Sequence, residues 1–172
     1  LIARSGTPNT LGFYILHEGP LGVFNDTLRE YDYDDLQETR KVEVQSTGGW
    51  IGITDKYWLA ALVPDQSVGS TYRFVHSLKN KDDRYQVDYL GQETRIAVGQ
   101  QIETVNRLFA GAKEVKLLDA YSEQYGIKNF DLAVDFGWFY FLTKPFFYAI
   151  SWLNTYLGNF GLAIIAFTVF VK

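Results

Sequence analysis

Two histidines, His17 and His76, are the side chains in this sequence best suited to act as general bases or to bind a metal ion. Twenty acidic residues accompany them, so a histidine–carboxylate pair is easily imagined. The H-x-x-x-H spacing that holds zinc on one helix face is absent from the sequence. Both histidines fall inside predicted strands. We therefore predict ordinary strand residues, no metal, no cofactor and no enzyme activity.

An acidic stretch at residues 31–35, with the sequence YDYDD, offers the hard oxygen ligands that Ca²⁺ prefers. The stretch lacks the glycine turn and the terminal glutamate of an EF-hand loop. It therefore predicts a solvated acidic loop. Cysteine is absent from the sequence, which excludes disulfides, thiolate metal sites and a cysteine nucleophile.

The distribution of charge divides the chain into two parts. The formal net charge is −4 and Lys and Arg form no cluster, so we predict no nucleic-acid partner. Every acidic residue lies at or before Asp135, whereas residues 136–172 carry only Lys144 and Lys172. Aromatic residues are concentrated in the stretch 138–156. This pattern is typical of a chain that passes from water to a membrane–water boundary.

The length of 172 residues fits one sizeable domain with an appendage. The sequence contains no methionine and no signal-peptide pattern at its start, so we expect a piece of a longer protein. Segments rich in Val, Ile, Tyr, Phe and Thr, separated by Gly, Pro, Asn and Asp, predict an all-β sandwich of antiparallel strands. The predicted strands are 11–17, 21–24, 41–46, 50–54, 57–63, 71–78, 84–90, 93–98 and 104–110.

After the strands, the apolar period changes from two residues to that of a helix. Val115, Leu118 and Tyr121 share one helical face, which predicts a short surface helix over residues 112–125 with Gly126 as its stop. Residues 130–134 then predict a brief extended linker at the end of the water-soluble domain.

A second helix is predicted over residues 145–157, with Pro145 in its first turn and Gly158 as its stop. One side of this helix is polar and contains Lys144, Ser151, Asn154, Thr155 and Gly158. The other side is apolar and contains Leu142, Phe146, Ala149, Ile150, Trp152, Leu153, Tyr156 and Leu157. The helix is therefore predicted to be amphipathic.

An aromatic apolar side with no carboxylate opposite it favours a helix that lies in the lipid headgroup region. A helix packed on its own domain is the alternative. The predicted membrane-interface residues are Trp138, Lys144, Phe146, Trp152 and Tyr156. Residues 161–171 form an unbroken apolar run, shorter than the roughly 20 residues that cross a bilayer. We predict that this run begins a transmembrane helix.

Two motifs in the last third of the chain, DLAVDFGW at 131–138 and GNFGLAII at 158–165, carry a specific resemblance. They resemble the junction in bacterial YidC-type (YidC/Oxa) membrane protein insertases between the periplasmic domain, an interfacial helix and a transmembrane helix. A looser match includes GGWIG at 48–52, DKYW at 55–58 and LVP at 62–64.

The resemblance implies a periplasmic β-supersandwich, similar to mutarotase-like sugar-binding domains, attached to the inner membrane of a bacterium. It implies a C-terminal part of that domain at 1–130, a linker at 131–137, an interfacial helix at 138–158 and the start of a transmembrane helix at 160–172. Residues 1–135 would lie in the periplasm. The implied activity is the insertion and folding of inner-membrane proteins, alone or with the Sec translocon, in contact with membrane lipid.

Lys172 falls where the family has a basic residue that lies in a hydrophilic groove and contacts incoming chains. The commonest residue there is Arg, and Lys keeps the charge but loses the forked donor geometry. A snorkelling lysine at a helix end is the alternative.

A second function class also fits the sequence, namely a membrane-anchored carbohydrate-binding or structural envelope domain. Sugar sites present exposed aromatic rings beside carboxylates. The aromatic candidates are Trp50, Trp58 and Tyr72. Fold alone does not transfer sugar chemistry to this chain.

Overall fold

The computed structural model describes residues 1–10, 16–137 and 139–172. The chain forms two compact units, Leu1–Asp135 and Phe136–Lys172. The first unit contains nine described strands, and most of the predicted strand at 11–17 lies outside the described residues. The strands are β1 (Ile2–Ser5), β2 (Gly19–Phe24), β3 (Thr27–Glu30), β4 (Lys41–Thr47), β5 (Trp50–Thr54), β6 (Trp58–Val63), β7 (Gly69–Lys79), β8 (Asp82–Gly91) and β9 (Arg107–Ala112).

The strands form two antiparallel sheets, which confirms the prediction of a mainly β fold. Sheet A has the order β1-β8-β7-β4, and sheet B has the order β3-β2-β5-β6-β9. Alternation in β7 places Tyr72, Phe74 and His76 on the buried face of sheet A, with exposed or half-buried residues between them. The six predicted strands from 21–24 to 84–90 all match observed strands within two residues at each end.

Three helical segments complete the first unit. Helix α1 spans Tyr33–Thr39, helix α2 spans Val115–Tyr125, and a 3-10 helix spans Phe130–Ala133. Helix α2 ends at Gly126, whose φ of 63° is a left-handed conformation that glycine adopts without steric cost. The predicted helix at 112–125 is therefore confirmed, with a start three residues later.

Strands β2 and β5 of sheet B are covered on both faces. On one face a core between the two sheets contains Phe24, Ile51, Tyr72, Phe74, Tyr85 and Val87. On the other face a second core lies under α2 and the 3-10 helix and contains Leu21, Val23, Trp50, Leu59, Leu118 and Phe130. This arrangement explains why β2 and β5 are buried at every position.

The segment predicted as an extended linker is part of the second core. Phe130 is fully buried, and its ring meets those of Trp50 and Phe109 edge-on at centroid distances of 5.4 and 5.5 Å. Ala133 is also buried. The prediction of an extended linker was wrong. A short apolar run is typical of extended chain, whereas burial of Phe130 favours a compact turn of helix.

Two other predictions differ from the structure. Residues 93–98 form no strand, and residues 92–106 are exposed throughout, including Ile96 and Val98. The alternating pattern there suggested a strand, but the segment has no apolar face to lie against. The acidic stretch at 31–35 is not a loop throughout, because Tyr33 begins α1 and is buried between the sheets.

The connection from β4 to β5 crosses from sheet A to sheet B through Gly48 and Gly49. Gly49 has a φ of 95°, and a Cβ atom there would overlap the carbonyl oxygen of Val23. The side chain of Gln66 accepts a hydrogen bond from the Gly49 N–H at 2.9 Å and donates one to the Gly49 carbonyl at 2.8 Å. Glycine is therefore required at this crossing.

Candidate functional site

Helix α3, Tyr140–Leu157, contains most of the predicted interface residues. The helix begins earlier than predicted, so Pro145 lies inside it rather than in its first turn. The first turn is closed by backbone bonds from Leu142 and Thr143 to the carbonyl of Phe139, both 2.8 Å long. Trp138 lies outside the described residues.

Helix α4, Phe160–Val171, packs against α3 within the second unit. The rings of Phe146 and Phe167 meet at a centroid distance of 5.0 Å. Two small residues, Ser151 on α3 and Ala163 on α4, are both buried. Small side chains allow helices to approach closely. Phe146 and the predicted polar residue Ser151 are therefore used in helix packing.

Four aromatic side chains form an exposed stripe along α3: Phe141, Tyr148, Trp152 and Tyr156. Their spacings of seven, four and four residues place them on one helical face. Trp152 and Tyr156 are 60% and 73% exposed, with ring centroids 4.9 Å apart. We call this set the aromatic stripe. The sequence prediction included two of its members and missed Phe141 and Tyr148, which the same helical spacing could have identified.

The two cations of the second unit have different surroundings. Lys144 is half-buried, and its Nζ donates to the Tyr140 hydroxyl at 3.0 Å while lying 5.4 Å from the same ring. Lys172 is exposed and directly follows Val171 of α4. Lys144 is thus held close to the surface of α3, whereas the Lys172 side chain reaches solvent.

A two-residue corner joins α3 to α4. Gly158 has a φ of 63°, and its N–H donates to the carbonyl of Asn154 at 2.9 Å. The side chain of Asn159 accepts a hydrogen bond from the N–H of Leu162 at 3.2 Å and so caps α4. Each helix end therefore has a bonding partner within the corner.

Among the helices of the described residues, none combines the length and the apolar character that a membrane crossing requires.

Comparisons with known proteins decide the family. A family model, the YidC periplasmic domain, matches residues 1–149. The chain belongs to the YidC periplasmic domain family. The membrane protein insertase YidC of Rickettsia canadensis is 48% identical over 159 residues, which cover 92% of this chain and 28% of that relative. The YidC protein of Rickettsia felis is 46% identical over an alignment that covers the whole chain and 31% of that relative.

The resemblance inferred from the motifs is therefore confirmed. Two facts limit which part of the protein the comparisons cover. The chain spans less than a third of the length of these YidC relatives. The YidC family model ends at residue 149, so Trp152, Tyr156 and Lys172 lie beyond it. These three positions lie within the alignment to the Rickettsia felis protein.

The two histidines of this YidC-family domain lie in different surroundings. His76 is buried in β7, with its Nε2 atom 2.8 Å from Oδ1 of Asp83, and the Asp83 carboxylate also accepts a hydrogen bond from Thr7 at 3.1 Å. His17 lies near Asp32 at 3.8 Å. The hydrogen bond from His76 holds the pKa of Asp83 below its ordinary value. In the described part of the chain, no group of three potential ligands is placed to hold a metal ion.

The three aromatic candidates for a sugar site also differ in their exposure to solvent. Trp50 and Tyr72 are fully buried, and the Tyr72 hydroxyl donates to the carbonyl of Gly48 at 2.8 Å. Neither ring is available to stack on a sugar. Trp58 is 62% exposed and lines a cleft with Asp55. Of the three candidate rings for the carbohydrate-binding hypothesis, only Trp58 is exposed.

An acidic cleft of about 860 Å³, which the sequence prediction missed, lies beside the start of α1. Its carboxylates come from segments far apart in sequence: Glu18, Glu30, Asp32, Asp34, Asp35 and Asp135. Loss of hydration in the cleft raises the pKa of Glu30, with His17 opposing and Asp135 adding to the rise. Burial lowers the pKa of nearby Lys113, although Asp135 opposes this change.

The raised pKa of Glu30 predicts how a Glu30→Gln variant responds to pH. The folded state holds this proton more tightly than the unfolded state, so ionised Glu30 costs stability at neutral pH. Glu30 is exposed at the end of β3, so solvent screens part of the effect. We expect Glu30→Gln to give a small rise in the melting temperature at pH 7, and the gain to vanish below the ordinary glutamate pKa of about 4.3. Thermal unfolding at both pH values measures this, with Glu103→Gln on an exposed segment as the control. A gain that persists at low pH would contradict the prediction.

Proposed function

We propose that this chain is part of a bacterial inner-membrane insertase, in which it forms periplasmic β structure and the entry to the membrane. The family match and the printed name of the relatives, membrane protein insertase YidC, support this proposal. Residues 1–135 lie in the periplasm and form part of a mutarotase-like β-supersandwich, which the two antiparallel sheets support. Residues 131–137 join this domain to the interfacial helix at 138–158.

The aromatic stripe on α3 is the observation that carries the membrane part of the proposal. Tryptophan and tyrosine rings favour the headgroup level, where an apolar ring and a polar tip are both satisfied. Residues 136–172 contain no carboxylate that anionic lipid would repel. Helix α3 therefore lies at the membrane interface with Trp152 and Tyr156 among the lipid headgroups, and α4 belongs to the start of a transmembrane helix.

Lys172 provides the contact with substrate in this proposal. A lysine at the centre of a bilayer costs about 2.5 kcal/mol or more, so such a residue needs water, a groove or a partner. A hydrated groove would shorten the apolar path that the polar tail of a nascent inner-membrane protein must cross. The cation attracts acidic residues of that tail, and the apolar segment of the substrate supplies the driving force by leaving water for lipid.

This mechanism breaks and forms no covalent bond, so the proposed role is not enzymatic. The partners are nascent inner-membrane proteins, membrane lipid and the Sec translocon.

Photo-crosslinking in the full-length parent during synthesis of a small inner-membrane protein tests both contacts. A photoreactive residue at position 152 is expected to give lipid adducts. A photoreactive lysine analogue that keeps the ammonium group, placed at position 172, is expected to give adducts to the nascent chain. Position 167 is the control, because Phe167 packs against Phe146 and should give neither adduct.

The substrate contact is further tested by neutralising the acidic residues of the nascent chain. We expect crosslinks from position 172 to disappear, because the attraction depends on opposite charge. Crosslinks that survive neutralisation would contradict the role of the charge, and lipid adducts absent at position 152 would contradict the interfacial position of α3.

A further inference from the structure

Helix α3 contains a single cationic side chain, which is paired with a phenol one turn earlier. Lys144 donates a hydrogen bond from Nζ to the Tyr140 hydroxyl at 3.0 Å, and both residues are half-buried. An ammonium group has three N–H donors, so Lys144 can bind Tyr140 and a second acceptor at the same time. A phenol hydroxyl can likewise accept one hydrogen bond and donate another. The pair therefore offers two adjacent donors to one anionic group.

Aromatic packing within the second unit holds this pair in position. The Phe136 ring meets the Tyr140 ring at a centroid distance of 5.7 Å and the Phe147 ring at 6.2 Å, edge-on in both cases. Nζ of Lys144 lies 5.4 Å from the centroid of the Tyr140 ring. Donors that are positioned before binding lose less conformational entropy when a ligand arrives.

The donor pair borders the aromatic stripe. Lys144 lies three residues after Phe141 and four before Tyr148, spacings that make side chains neighbours on a helix surface. Trp152 is two turns further along α3, which is about 12 Å at a rise of 1.5 Å per residue. A molecule that contacts both the donor pair and the stripe therefore combines a polar group with apolar surface.

The charge of the second unit determines which polar group fits. Residues 136–172 contain no acidic side chain, so their formal charge is positive. Phosphate is an anion that lysine commonly binds in proteins, as a point charge. Phospholipids carry phosphate next to acyl chains, whereas inorganic phosphate has no apolar part that could lie on the stripe. A phospholipid is therefore the ligand that matches both features.

We propose that Lys144 and Tyr140 form a binding site for the phosphate group of a membrane phospholipid. The Lys144 ammonium group and the Tyr140 hydroxyl both donate to phosphate oxygens, and the acyl chains of the same lipid lie against the aromatic stripe. The hydrogen bond between the two side chains keeps the donors together. This site rests on the proposed interfacial position of α3 and adds a specific lipid contact to it.

Chemical labelling of lysines in the full-length parent tests the proposal. The protein is placed in nanodiscs of phosphatidylglycerol, of phosphatidylcholine, or of a digalactosyl lipid that has acyl chains and no phosphate. A water-soluble acylating reagent is added, and mass spectrometry measures the rate of reaction at each lysine. Lys116 is the internal reference, because it is exposed on α2 in the first unit.

We expect Lys144, relative to Lys116, to react at least about fivefold more slowly in either phospholipid than in the galactolipid. Equal relative rates in all three lipids would overturn the proposal, because Lys144 would then serve only to bind Tyr140. Inorganic phosphate added to the galactolipid nanodiscs is expected to leave the rate unchanged. Slowing by inorganic phosphate to the level seen in phospholipid would identify a site for free phosphate and would also overturn the proposal.

The second donor is tested with Tyr140→Phe, which removes the hydroxyl and keeps the ring. We expect the ratio of the galactolipid rate to the phospholipid rate to fall at least about twofold. Because the ratio compares lipids within one variant, a change in the intrinsic reactivity of Lys144 cancels. Tyr156→Phe is the matched control, because it removes an exposed hydroxyl from the same helix and should leave the ratio unchanged. Equal ratios in the two variants would exclude Tyr140 as a phosphate donor.

Lipid adducts from position 152 separate this proposal from the interfacial position of α3. Adducts at position 152 together with equal Lys144 rates in all lipids would overturn the phosphate site alone. The absence of adducts at position 152 together with equal Lys144 rates would overturn the interfacial position as well.

Discussion

Replacing Phe130 by alanine is expected to destabilise the first unit by about 3–5 kcal/mol, the range for removing a large buried aromatic side chain. Phe130 is fully buried and touches Trp50 and Phe109 through edge-on ring contacts. Its loss would leave a cavity between sheet B and the segment after α2. The free energy of unfolding, obtained from denaturant titration of the parent's periplasmic domain, measures the effect.

Tyr57→Ala is the control, because Tyr57 is an aromatic residue of the same unit and is 64% exposed. We expect a change within about 0.5 kcal/mol for this variant. If the two variants were equally mild, Phe130 would not hold the segment Phe130–Ala133 against sheet B, a result that would agree with the linker that the sequence pattern predicted.

The substitution Gly49→Ala should have a comparable effect through a different mechanism. The left-handed backbone costs a residue with a side chain about 1–3 kcal/mol, and the added Cβ would also overlap the Val23 carbonyl. Relief of that overlap requires β5 to move away from β2, which would also strain the two hydrogen bonds between Gly49 and Gln66. We expect a loss of more than about 3 kcal/mol in the same titration.

Gly91→Ala provides the comparison, because no atom lies within 4 Å of the Cβ position at Gly91. Alanine there should be neutral or stabilise the fold by up to about 1 kcal/mol through the unfolded chain. A loss at position 91 as large as that at position 49 would show that steric overlap is not the cause.

Most strand positions in the sandwich could be predicted from the local sequence pattern, because the interior strands are runs of apolar residues that favour a buried strand. The strand at 50–54 was predicted at its exact bounds, and it is buried on both faces. Helix α1 was missed because its seven residues, with two acidic side chains in the first turn, resemble a polar loop. Its burial depends on Tyr33 and Leu36 reaching the core between the sheets, which no local pattern reveals.

The exposed strands and rings were harder to predict for the same reason. Residues 93–98 have strand-like alternation but no neighbouring sheet surface. Trp50 and Trp58 are eight residues apart in similar strands, yet one is fully buried and the other largely exposed. The difference arises because Trp50 faces the layer formed by α2 and the 3-10 helix, whereas Trp58 faces the side where sheet A ends.

The candidate site was predicted in part. The helical period placed Trp152 and Tyr156 on one side of the helix, where both are exposed, and their contact with lipid stays a prediction. The motifs identified the family, which the family match confirms. The helical period of the sequence could not show that Ser151 is buried in the packing of two helices, because only the three-dimensional structure brings α4 next to α3. The roles of Lys144 and Lys172 in the membrane stay predictions.

The corner at Gly158 and Asn159 has a consequence for the environment in which the second unit can keep its shape. A turn between helices usually depends on water to satisfy some of its amide groups. Here Gly158 donates to Asn154, and the Asn159 side chain accepts from Leu162. Because these bonds are internal, transfer of the corner from water to hydrocarbon would leave fewer unpaired groups to desolvate. The two bonds therefore reduce, without removing, the free-energy cost of placing the corner close to hydrocarbon.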